Sequence, residues 1–118
     1  MTSREAKRQA DEAVVENLVD IVEAVFWVVL STITYIVMTL FNITSILGDI
    51  VNTIYMITLL YELSSIVKNV YIIKLNQRII KDTSLAGKLR SKELVVNLTF
   101  GLTTIGFIAI IVFTTINV

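Results

Sequence analysis

The chain has 118 residues, enough for one domain, and at 55% hydrophobic and 17% charged it is too apolar for an ordinary soluble domain, which carries about 25% charged residues. Ten Lys and Arg balance ten Asp and Glu, so partners must be read from the placement of charge rather than from its sum. The chain has no Cys, His or Pro, which excludes a disulfide framework, thiolate metal sites, the commonest general base and any obligatory helix break.

Residues 1–23 hold three cations and six anions, unlike a secretory signal, which opens on positive charge and a short apolar core. Thr2-Ser3-Arg4-Glu5 matches a Thr-x-x-Glu capping box. Glu12, Glu16, Asp20 and Glu23 recur at i, i+4, i+8 and i+11 and form an acidic stripe, with Val14, Val15, Leu18, Val19 and Val22 assigned to the opposite face. No breaker precedes the charge-free run 24–48, so one long helix is expected, amphipathic over 1–23 and apolar over 24–48. Gly48-Asp49 reads as its C′ glycine and the cap of the next helix.

The second helix is expected over 50–81, with a single charge, Glu62, in its apolar first part. Lys74, Arg78 and Lys81 follow i, i+4, i+7 spacing and share one face. Residues 82–87 read as a turn, and the third helix is expected over 88–117, with Ser91 as a candidate N-cap. The runs 24–48 and 94–118 are 25 residues each without charge. As helices they would measure roughly 37 Å, longer than a bilayer's hydrocarbon core of about 30 Å. Their Ile, Val and Thr favour strand in isolation, but runs of this length without turn signals suit helices. The fold class is therefore all-α: three long hydrophobic helices, a hairpin with a basic turn preceded by an amphipathic, acidic N-terminal helix extension.

Charge sets topology. Residues 68–93 hold seven cations and two anions, and the positive-inside rule places them in the cytoplasm, with the N-terminus on the same side. Thr and Asn within the runs, among them Thr32, Thr34, Thr39, Asn42, Thr44, Asn52, Thr53, Thr58, Asn97, Thr104 and Thr115, read as interhelical glue or back-bonding to the i−4 carbonyl before they read as a polar pore. Gly101, Gly106 and Ala109 would permit close helix approach. Asn42-Ile-Thr and Asn97-Leu-Thr match the glycosylation triplet inside apolar runs that would not hold a glycan. Glu62 reads as an interface-level acid or the partner of a cation on another subunit rather than a proton relay. Trp27 and Tyr35 are interface anchors or plain packing. Ser64, Ser65 and Lys68 offer only a common short spacing for Ser-Lys chemistry, so no enzyme, catalytic residue, metal site or small-molecule substrate is expected.

Apolar helix, basic turn, and apolar helix with small residues together resemble, over 50–117, the pilins of conjugative and type IV secretion pili, including archaeal DNA-import systems. The resemblance implies a helical homopolymer that leaves the membrane as an extracellular filament, binds phospholipid or archaeal lipid, and passes DNA. It also implies that Lys74, Arg78, Lys81, Lys88, Arg90 and Lys92 line a lumen and face lipid phosphates or DNA. An acidic stripe at one end and a basic turn at the other would suit such a repeating assembly. The alternatives are a small three-span membrane protein (channel, holin-like or transport accessory) and a hydrophobic coat protein of an archaeal virus.

Overall fold

The computed structural model describes the backbone of residues 2–41 and 44–116, and the side chains of these except 44–47. It contains α1 (Ser3–Leu40), α2 (Thr44–Lys81), a 3-10 turn (Thr83–Leu85) and α3 (Ala86–Ile116). The all-α architecture is as the sequence implied, and no strand occurs among the described residues. Consecutive helices run antiparallel, with α2 packed between α1 and α3.

The molecule is a slab of 59 × 27 × 14 Å, little thicker than one helix. Its radius of gyration is 18.6 Å, against about 13.5 Å for a compact domain of this length. Its accessible surface of 8152 Å² likewise exceeds the roughly 6,400 Å² of a soluble monomer of the same mass. More than thirty large hydrophobic side chains are exposed. Each helix is long and apolar enough to cross a membrane. In that solvent a helix must satisfy its own backbone, and an apolar exterior is no penalty.

Thr2 caps α1 in extended conformation, its Oγ1 accepting the Glu5 N–H at 3.2 Å. The far end of α1 corrects the sequence reading. The helix stops at Leu40, where the Phe41 N–H reaches the Val37 carbonyl, and Gly48-Asp49 lies inside α2. The reason is packing register. Thr32 Oγ1 meets Tyr55 Oη at 2.9 Å and the Tyr35 hydroxyl donates to Asn52 Oδ1, and both pairs are symmetric about residues 43 and 44. Tyr35 and Tyr55 also stack at 4.5 Å. Gly48 has no left-handed backbone, and a Cβ there would meet nothing within 4 Å. Gly48→Ala is therefore expected to stabilise the fold by about 0.5–1 kcal/mol through the unfolded chain, read as a higher melting temperature in detergent; a lower one would restore the cap reading.

The fully buried residues of α1 are all alanines, Ala6, Ala10 and Ala24; Ala13, Asn17 and Ser31 are partly buried, as are the larger Val14, Ile21, Val28, Tyr35 and Met38. Small side chains let two helix backbones approach, which drives association where lipid removes the hydrophobic incentive. Of the residues assigned to the face opposite the acids, Val15, Leu18, Val19 and Val22 are exposed and Val14 is partly buried. Gly101 and Gly106 are exposed too, and a Cβ added at either would meet nothing within 4 Å, so neither marks a close crossing within the chain.

The threonines act as expected of glue and back-bonding. Thr34, Thr39 and Thr58 donate to their i−4 carbonyls; Thr53 and Thr115 sit within reach of theirs, and one of the two donates to the other at 3.0 Å across α2 and α3 while the other keeps its i−4 bond. Asn42 and the side chain of Thr44, and with them the first glycosylation triplet, lie outside the described residues, as does residue 117 at the expected end of the third helix.

Candidate functional site

The second turn comes one residue after α2. Asp82 Oδ1 accepts the Ser84 N–H at 3.1 Å and the Ser84 hydroxyl at 2.6 Å, an Asx-type cap that starts the 3-10 turn. From there α3 begins at Ala86, earlier than Lys88 or Ser91. Ser91 is inside the helix, its hydroxyl donating to the Gly87 carbonyl at 3.3 Å. Asp82 supplies the local cap that the sequence reading sought at Ser91.

Around this turn sits the buried cluster of Ala10, Leu75, Ile79 and Leu89, flanked by Ile80, Leu85 and Ala86. Ser3 Oγ and Thr83 Oγ1, 2.8 Å apart, tie the start of α1 to the same place. The N-terminal part of α1, the C-terminal part of α2 and the start of α3 thus share one end. This corrects the expectation of charge separated between ends. The acidic stripe of α1 and the basic stretch occupy the same half of the slab, and the far end carries only Asp49. An antiparallel up-down-up chain dictates this: the start of helix one and the end of helix two are neighbours.

What separates the charges is the face. Asp20 and Glu23 of α1 line a groove of about 360 Å³ against α2, with Glu62, Ser65, Lys68 and Asn69 on its other wall. Glu12 and Glu16 continue the stripe towards the N-terminus, exposed. At about 100° per residue, Lys74, Arg78 and Lys81 lie roughly 150° around α2 from Glu62, Ser65 and Asn69. All three are exposed, as are Lys88 and Lys92 on α3. Arg90 differs: it is partly buried and its Nη1 holds Glu93 Oε2 at 2.8 Å. Of the six cations read from the sequence as one set, five are open to solvent and one is engaged within the chain.

Glu62, Lys68, Asp20 and Glu23 make no ion pair or hydrogen bond among the described residues. Ser65 accepts from Asn69 Nδ2 at 3.2 Å, and no hydrogen bond joins Ser64 or Ser65 to Lys68. Asp20, Glu23 and Glu62 do not converge as a metal site among the described residues. A second groove, between α2 and α3, is lined by Lys68, Ser64, Asn97, Phe100, Gly101 and Thr104 and encloses about 240 Å³. Trp27 faces the α1–α2 grooves, and its ring packs edge-on against Phe26.

Sequence reasoning missed Asn69 and Asn76, seven residues apart on α2. Both are buried, and their i, i+7 spacing inside an otherwise apolar seam was the available signal. Asn76 Nδ2 donates to the Ile72 carbonyl at 2.9 Å, but its Oδ1 has no partner. A half-satisfied buried amide costs more than a methylated isostere. Asn76→Leu is expected to raise stability by about 1 kcal/mol in denaturant titration of the detergent-solubilised protein; a loss of that size would mean the Oδ1 is satisfied in the folded protein.

No family model matches this chain. Neither a curated protein nor a solved structure matches it.

Proposed function

We propose that the chain is a structural subunit: a membrane-inserted protein that polymerises with copies of itself into a lipid-containing helical filament of the DNA-transfer pilus kind. The observation that carries this is the exterior. A slab of 14 Å with large apolar side chains on its long surfaces buries little of itself, so its stable forms need lipid or further copies around it. The exposed cations Lys88 and Lys92, beside the turn, are the groups offered to lipid phosphate or to DNA.

Electron microscopy of sheared extracellular material tests the reading. Filaments whose mass per length fits this subunit, with co-purifying lipid, are the expected result. A protein found only in detergent-extractable membrane overturns it. That outcome matches the second reading, a resident three-span membrane protein, which the clustering of cations at one end of three antiparallel apolar helices favours. Recovery in nuclease-protected particles with a genome would identify a virion coat instead.

A further inference from the structure

We infer that copies of this chain associate face to back, the acidic α1–α2 groove of one copy against the Lys74, Arg78 and Lys81 side of the next. The inference rests on the self-assembly reading above and names the contact that makes it. The groove holds Asp20, Glu23 and Glu62 with one cation, Lys68, and the acidic stripe continues along α1 through Glu16 and Glu12 as far as Arg8. None of the three carboxylates lining the groove has a partner among the described residues. Carboxylates beside apolar walls and membrane are costly when left uncompensated. Lys74, Arg78 and Lys81 are equally unpaired among the described residues, and a helix body about 10 Å across stands between the two sets. Neither set reaches the other within one chain, and a second copy supplies both complements.

The charges also decide the symmetry. A two-fold contact would set acid against acid or base against base, which costs several kcal/mol. A face-to-back contact pairs opposite charges and leaves an acidic face free at one end and a basic face at the other, so it propagates head to tail, as a filament or, where the rotation closes, as a ring. The two sets are not level. Glu23 lies across the groove from Glu62, so the acids at 12–23 face α2 residues near 62–73, and the cations at 74–81 lie about 15 Å further along. Neighbours are therefore staggered along the helix axis by about that distance.

The chain has no Cys, so introduced thiols report cleanly. The double variant Asp20→Cys/Arg78→Cys, oxidised in native membranes and in assembled material, is expected to give a ladder of disulfide-linked oligomers. Adding Glu16→Lys and Glu23→Lys should reduce the ladder about tenfold, and adding Lys74→Glu and Lys81→Glu as well should restore it. No crosslink, a product that stops at dimer, or a ladder indifferent to charge reversal overturns the inference. Filaments without the ladder would sink this contact and leave the filament reading intact. A charge-dependent ladder without filaments would keep the contact and remove the filament.

Discussion

Converting Arg4, Lys7, Arg8, Lys74, Arg78, Lys81, Lys88, Arg90 and Lys92 to Gln is expected to abolish the chain's single orientation in the membrane. All nine lie at the end shared by the start of α1, the end of α2 and the turn, and the far end has no cation. Juxtamembrane cations contribute on the order of 1 kcal/mol each at an anionic surface, and orientation follows Lys and Arg rather than net charge. A Ser84→Cys reporter, reacted with a membrane-impermeant thiol reagent, should label only after lysis in the parent and in intact cells for a large fraction of the variant. The folded arrangement adds a control. Replacing only the six cations at 74–92 leaves Arg4, Lys7, Arg8 and Lys68 on the same side, so that variant should keep the parental orientation. Whether the turn cations contact lipid or DNA can then be measured without a change of topology. Labelling of the nine-residue variant only after lysis would show that orientation is set by something other than these charges.

The parts of this protein that were legible beforehand are those that depend on long averages. Uncharged runs of 25 residues left no other element long enough, and the helices at Ser3–Leu40, Thr44–Lys81 and Ala86–Ile116 follow. The Thr2 cap was legible because a capping box is local. What failed depended on contacts between helices. Gly48-Asp49 looked like a boundary by local chemistry, but the pairs Thr32 with Tyr55 and Tyr35 with Asn52 fix a register of α1 against α2 that puts Gly48 inside α2. Val14, Val15, Leu18, Val19 and Val22 were set on the face opposite the acids by periodicity; all but Val14 are exposed, while Ala24 is buried, because in an apolar solvent small size marks the contact face better. For the charged residues, sequence grouped them by sign, and only the antiparallel packing shows acids and bases at one end on different faces. Arg90 left the basic set because Glu93 is three residues on, a spacing visible in the sequence but outweighed by the charge pattern.

Ile79→Ala is expected to cost about 2–5 kcal/mol, a large share of the tertiary stability of so thin a protein. Ile79 is fully buried against Ala10, Leu75 and Leu89, so one side chain holds parts of all three helices together. Its position beside Lys81 and the turn puts it at the charged end, where the alternative to burial is water. There the hydrophobic effect operates in full. Along the spans the alternative to burial is lipid, as apolar as the partner helix, so large side chains contribute little to holding the helices together. Ile105→Ala, at an exposed position of α3, should therefore change stability much less despite the same chemical deletion. Ile79→Val should fall between, at about 0.5–1.5 kcal/mol, because it removes only one methyl group. Denaturant titration of the three variants in one detergent reads the series directly. Equal losses for Ile79→Ala and Ile105→Ala would show that the cluster at the charged end does not hold the fold, and that packing along the spans does.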